Sequence, residues 1–257
     1  MIEKIYNEKT EELFGSEIEF INSGLMTGDE NMQFDTARTL GLSKSENLPM
    51  FRIYAWKPWC ISLGKNQKTD DLDEISIKKH NIDIVRRPTG GRAVLHADEL
   101  TYAVALKLSN ERTSQFVYQK VHQILLNSLN RLGCNLEFVK SQPNFRDFYQ
   151  KSISAASCFA SSARYEIEFE GKKVVGSAQR VFGDVLLQHG SILLGKGHNL
   201  LADLINCKSE ENREIIRKEI ESHSISISEI CSREISFEEC ADCIREELKI
   251  DSFSFSF

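Results

Sequence analysis

From position 165 to 170 the chain alternates strictly. Tyr165, Ile167 and Phe169 are interleaved with Glu166, Glu168 and Glu170, and Gly171-Lys172 lets it return through Lys173-Val174-Val175. Apolar and acidic residues at period two describe strands with one buried and one wet face, and the glycine turn closes them into a hairpin. A wet face is foreign to a parallel sheet covered by helices on both sides, so the chain does not read as a doubly wound α/β fold. Other segments fill in the picture. Residues 17–21 alternate like a strand, residues 50–56 and 60–63 read as two strands around the turn residue Pro58, and residues 82–85 form a short apolar strand.

Helical signals fall between and after these strands. Gly28-Asp29 opens a stretch with Met32, Ala37 and Leu40 on one side. Thr69 followed by Asp70 and Asp71 marks a helix start, because the hydroxyl caps and the acids suit the positive end of the dipole, and this helix is predicted to reach about His80. The most regular helix covers residues 114–132, with Val117, Val121, Leu125, Leu129 and Leu132 on one stripe and Gly133 to end it. From about 198 to 248 the pattern is helical. Strands early in neighbouring pairs, with helices dominating late, predict an α+β fold: a mixed, largely antiparallel sheet flanked by helices. Residues 1–16 are polar and read as a loosely held lead-in.

Charge and cysteine usage narrow the function classes. Lys and Arg total 32 against 38 Asp and Glu, a net charge of −6, which disfavours cationic binding to nucleic acid or anionic membrane. No run approaches the ~20 apolar residues of a membrane span. The first residues lack an apolar block behind a basic start, so they do not read as a secretion signal. The seven cysteines are odd in number and scattered, which predicts free thiols in a reducing cytoplasm. Cys60 and Cys134 read as packing residues, and Cys240 and Cys243 as one face of a helix, since no second ligand pair suggests zinc. No metal or cofactor is expected. His80, His122, His198 and His223 read as surface or capping residues.

Two stretches stand out chemically. The first runs from Arg86 to Thr101, RRPTGGRAVLHADELT. Its glycines Gly90 and Gly91 allow close backbone approach to a ligand, Arg87 and Arg92 flank them, and His96 follows. It lacks the spacing of a P-loop or a dinucleotide fingerprint. The second runs from Cys158 to Leu194. Cys158 lies in a serine-rich context, and Lys173, 15 residues on, opens a strand followed by Gly176-Ser177-Ala178-Gln179; His189 and Gly190 come next. An ammonium near a thiol favours the thiolate, which is the nucleophile.

These residues resemble the biotin/lipoate protein ligase and transferase group. Its lipoyl-handling members carry a motif matched here by Arg86-Arg87-Pro88-Thr89-Gly90-Gly91-Arg92-Ala93-Val94-Leu95-His96, and a later one matched by Lys173-Val174-Val175-Gly176-Ser177-Ala178. Within the group the chain looks most like the cysteine-dependent octanoyltransferases of lipoate biosynthesis. Supporting segments are Ser23-Gly24 through Asn31-Met32, Tyr54-Ala55-Trp56 through Gln67, Cys158-Phe159, and Leu187-Gln188-His189-Gly190-Ser191-Ile192.

The resemblance implies one catalytic domain over residues 17–250, with Cys158 and Lys173 catalytic. It places Arg87, Gly90, Gly91, Arg92, His96, Gly176, Ser177, Gln179, His189 and Gly190 at the substrate, with Gly90 and Gly91 lining the acyl pocket beside Val94. The implied donor is octanoyl-acyl carrier protein. The implied acceptor is a lipoyl domain, such as the glycine cleavage H protein or the E2 subunit of a 2-oxoacid dehydrogenase. Three other readings stay open: an ATP-dependent lipoate ligase with nucleotide at Gly90-Gly91, an amidotransferase between lipoyl domains, and a non-catalytic binding protein. Ligases usually place a third glycine where Arg92 stands. The family also commonly has Asp directly after the motif histidine, where this chain has Ala97, with Asp98 displaced by one.

Overall fold

The computed structural model describes residues 1–6, 8–138 and 166–249. The architecture is built around two long strands, β7 (Glu99–Lys107) and β12 (Val185–Leu193), paired antiparallel from Glu99↔Leu193 to Lys107↔Val185. β3 (Met50–Trp56) lies on the other side of β7, and β2 (Ile18–Met26) pairs with β3 in parallel. β1 (Ile2–Ile5) and β11 (Val175–Phe182) form the edges, giving the order β1-β2-β3-β7-β12-β11. A second sheet orders β5-β4-β6, from β4 (Cys60–Leu63), β5 (Asp83–Arg86) and β6 (Val94–His96). The alternating hairpin is β9 (Ile167–Phe169) and β10 (Lys172–Lys173), flanked by β8 (Glu137–Phe138). The mixed, largely antiparallel α+β fold read from the sequence is the fold observed.

Period two decides what each face of the main sheet meets. On one face Phe51, Ile53, Tyr102, Val104 and Leu186 pack in one apolar cluster with α4 (Ser114–Asn130) and with the C-terminal helix Phe237–Lys249. The expected stripe of α4 is the buried one, with Val117, Val121, Leu125 and Leu129 all fully enclosed. On the opposite face Met50, Arg52, Tyr54 and Trp56 point toward α2 (Gly28–Ser43), and Tyr54 and Trp56 join Met32 in a separate cluster. A third cluster joins Ile61, Leu63 and Leu95 to the 3-10 turn Gly197–Leu204 and to the helix Glu210–His223. Among the described residues no helix is long and apolar enough to cross a membrane.

Several local expectations are corrected. Residues 2–5 are an edge strand paired with β2, and Ile5, Leu13 and Phe14 are buried, so this segment is part of the core rather than a loose lead-in. α2 starts where expected, with Thr27 and Glu30 forming a capping box. Its buried face is mainly polar, however: Asn31, Met32, Asp35 and Thr39 face inward while Ala37 and Leu40 are exposed. The reason is Arg52, a charge buried in the sheet that this helix must satisfy. The helix expected from Thr69 begins later, over Glu74–Lys79, because Asp73 accepts from the Ile75 and Ser76 amides and is the actual cap.

Candidate active site

A cavity of about 460 Å³, including its mouth, opens where β11 and β12 meet β4, β6 and α2. Most of its exposed wall is apolar, and it is bounded by Met32, Trp56, Val94 and the strand residues Gly176, Ser177 and Ala178. The lining is that of a small-molecule pocket: mostly apolar, with a few polar groups aimed inward. Those polar groups are Ser62, Arg87, His96, Thr101, His189 and Ser191. Gly190 completes the wall, and its lack of a side chain is required. A Cβ there would stand 2.6 Å from the Gly176 carbonyl oxygen and 2.7 Å from the Tyr102 ring.

Three hydrogen-bonded groups hold this wall. The first is centred on Arg52 and Asp35, both fully enclosed and joined at 2.7 Å. Arg52 also donates to Asn31 Oδ1 and Ser23 Oγ, and its guanidinium lies 3.9 Å over the Tyr54 ring. The Tyr54 hydroxyl donates to Asp35 Oδ2 at 2.9 Å, and burial raises the phenol well above its ordinary range, so it stays protonated. His189 Nδ1 is 3.9 Å from that same carboxylate oxygen, and its Nε2 meets Thr89 Oγ1 at 2.5 Å. Burial lowers the His189 pKa, which favours the neutral imidazole.

The second group is centred on Glu99. It accepts from His96 Nδ1 at 2.7 Å and from the hydroxyls of Thr101 and Ser191. Trp56 donates to Thr101 and stacks on the His96 ring with centroids 4.1 Å apart. The carboxylate beside His96 is therefore Glu99. Asp98 instead turns away at φ +49, with its carboxylate near Gly195 and Gly197.

The third group lies behind β11. Gln179 donates to Gln188, Gln188 donates to Tyr102, and Tyr102 meets Ser177 Oγ at 2.7 Å. Burial pushes the Tyr102 phenol up to about 12. His122 Nε2 reaches the same serine oxygen at 2.8 Å. Read from the sequence as surface or capping, His122 is fully buried on α4, and His198 is buried too, bonded to Ser224. The signal for His122 was present: it follows Val121 on the inward side of the α4 stripe.

The structure thus brings Arg87, His96, Gly176, Ser177, His189 and Gly190 together at one cavity, and Gln179 supports Ser177 from behind. Gly90, Gly91 and Arg92 are not among its lining residues. Their loop is folded by Arg87, which donates to the Gly90 and Arg92 carbonyls and to Ser62. Gly91 adopts φ +98, and its carbonyl oxygen would be 2.0 Å from any Cβ at Gly64. Gly91 and Gly64 meet at a tight loop crossing, while the space around Gly90 is open.

Lys173 is buried at the end of β10, where its Nζ pairs with Glu166 Oε1 at 3.0 Å; it stands outside the cavity wall. Cys158 lies outside the described residues. Of the other cysteines, burial pushes Cys60, Cys134, Cys240 and Cys243 up and makes them poor nucleophiles at neutral pH. Sequence reasoning missed Asp35, Arg52, Tyr54, Trp56, Ser62, Glu99, Tyr102 and His122, because each is placed by pairing between distant strands and helices.

Comparison with known proteins identifies the group. A family model described as the lipoyl protein ligase A/B catalytic domain matches residues 27–249. Octanoyltransferase LipM of Geobacillus kaustophilus is 34% identical over 227 residues, covering 87% of this chain and 82% of that protein. Octanoyltransferase LipM of Bacillus subtilis is 32% identical over 231 residues, covering 88% and 83%. Among solved structures, a bipartite lipoate protein ligase from Thermoplasma acidophilum shares the fold with a TM-score of 0.66 at 19% identity, over 89% of this chain and 80% of that one. Lipoate-protein ligase A bound with ATP gives 0.64 at 19% identity, over 90% and 85%. Those motifs, that fold and these relatives agree: the chain belongs to the lipoyl protein ligase A/B catalytic domain family.

Proposed function

We propose that this protein is an octanoyltransferase. It moves an octanoyl group from octanoyl-acyl carrier protein, through a thioester on Cys158, to a lysine of a lipoyl domain. The observation that carries this reading is the 34% identity to an octanoyltransferase across 87% of the chain. The cavity supports it, since an apolar wall between Met32, Trp56 and Val94 suits an alkyl chain.

The chemistry closes without a cofactor. Exchange between thioesters is nearly balanced and thioester to amide is downhill, so no nucleotide is needed to drive it. The Cys158 thiolate attacks the carrier thioester, and the acceptor amine then attacks the acyl-enzyme. Lys173, held by Glu166, supplies the positive charge that favours the thiolate and the oxyanion. Among the described residues β11 is an edge strand, so amides near Gly176 and Ser177 on its outer side can add donors to the oxyanion.

The test is intact-mass analysis of the protein mixed with octanoyl-acyl carrier protein, with octanoate plus ATP and magnesium, or with an octanoylated lipoyl domain. A hydroxylamine-labile octanoyl mass from the carrier protein alone, absent in Cys158→Ser, is expected. Transfer only with ATP and magnesium would replace this reading with a ligase. Acylation only from the lipoyl domain would make the protein an amidotransferase.

A further inference from the structure

Ser62 is in β4, fully enclosed in the wall that bounds the cavity, with its Oγ 2.7 Å from His96 Nε2. On the other side of the ring, His96 Nδ1 is 2.7 Å from Glu99 Oε1. Glu99 receives two further hydroxyl donors, from Thr101 and Ser191, so its partners fix it as a carboxylate and an acceptor. That assigns the His96 proton to Nδ1 and leaves Nε2 as an acceptor aimed at the Ser62 hydroxyl. The Trp56 indole, stacked within 14° of parallel, holds the imidazole in that orientation. Arg87 Nη1 lies 3.1 Å from Ser62 Oγ and puts a buried positive charge beside the oxygen. A hydroxyl, a base that can take its proton and a carboxylate that orients the base are the three parts of a serine nucleophile, recognised by geometry wherever they occur in sequence.

We infer that Ser62, His96 and Glu99 form a second acyl-transfer centre in this cavity, a serine esterase site for medium-chain acyl esters and thioesters. In the first step Ser62 Oγ bonds to the acyl carbon while its proton passes to His96 Nε2. The bond to the leaving alcohol or thiol breaks, and the leaving group takes that proton. Water then attacks the acyl-serine, gives its proton to His96, and the carboxylic acid departs as Ser62 recovers its hydrogen. The inference rests on this geometry alone and needs no role for Cys158. Glu99 is a positioning residue that acts through His96. Seen as scaffolding only, the same contacts would hold Trp56 and leave Ser62 inert, and experiment separates the two.

The unaltered full chain is treated with n-octyl fluorophosphonate, digested and mapped by mass. A phosphonyl adduct on the peptide containing Ser62 is expected, slowed by competing p-nitrophenyl octanoate. Ser62→Ala should lose the adduct together with the fluorophosphonate-sensitive part of p-nitrophenyl octanoate hydrolysis. His96→Gln should slow phosphonylation by about 100-fold or more. Glu99→Gln should shift the pH profile of phosphonylation, which a purely structural role would not do. A Ser62 peptide that stays unmodified in excess probe overturns the inference, and this reading needs no variant to fold. Octanoyl transfer is read on the separate Cys158 peptide, so the two proposals fail independently.

Discussion

The two faces of the main sheet are both buried, yet they are built from different chemistry. Toward α4 and the C-terminal helix, strands contribute mostly Phe, Ile, Val and Leu, and the helix answers with an apolar stripe. Toward α2 the same strands set Arg52, Tyr54, Thr101, His189 and Ser191 among Met50, Ala103, Ala105 and Leu187, and α2 answers with Asn31 and Asp35 beside Met32. The first face is held by loss of apolar surface from water, which is non-directional and tolerates volume-conserving exchange. The second adds to its apolar contacts a set of hydrogen bonds that must all be made, because each broken one leaves a buried polar group unsatisfied. The cavity opens on the second face. A pocket that must orient polar groups stands on fixed partners, and the apolar face supplies the stability those partners cost.

The comparison breaks most sharply at Asp35. Asp35→Ala leaves the enclosed Arg52 without its anion, which typically costs about 3–5 kcal/mol. Urea unfolding should show that loss, and a double variant Asp35→Leu with Arg52→Met should recover much of it. If Asp35→Ala unfolds like the parent, the polar face is not held as described. On the apolar face, Leu125→Ala creates a cavity and is expected to cost about 3 kcal/mol. Its surviving folded fraction should bind an octanoyl ligand with unchanged affinity, and a large affinity loss would mean the two faces are not separable.

A smaller effect is expected at the loop crossing. Gly64→Ala drives a Cβ into the Gly91 carbonyl, and overpacking of this kind costs about 1–3 kcal/mol. It should also shift the 87–92 loop, visible as increased amide exchange there.

The smallest effect is one of pH. His189 and His198 both titrate below their ordinary value because burial disfavours the cation. The unfolded chain then binds more protons than the folded one below about 6.5, so stability is full above that pH and falls as pH drops toward the lowered folded values. His189→Gln should flatten part of that slope in denaturation curves taken from pH 7 to 5. An unchanged slope would place the titration elsewhere.

The site was legible in the sequence where its residues are contiguous. His96, Gly176, Ser177, His189 and Gly190 sit in the two stretches 86–101 and 158–194, and both stretches reach the cavity. It was not legible where the partners come from far along the chain. Nothing near His96 marks Glu99 over Asp98; only the antiparallel pairing of β7 with β12, and the turn at Asp98, aim one carboxylate at the ring and the other away. Gly90 and Gly91 lie outside the residues that bound this cavity. A glycine pair permits close approach without saying to what; the Gly91 carbonyl packs against Gly64, and Gly90 meets nothing close.

Local pattern alone determined β2 to β5, the β9–β10 hairpin, the α4 stripe and the mixed α+β class, because periods of 2 and 3.6 are backbone geometry acting on consecutive residues; the central strands β7 and β12 were not read from it. Arg52 could not be read that way. In the alternating strand Met50–Trp56 it occupies a position that faces inward, and a lone sequence offers no means to know that a carboxylate, an amide and two aromatic rings wait there. Tertiary structure decided that, since burying a charge is tolerable only where distant elements have already assembled its partners.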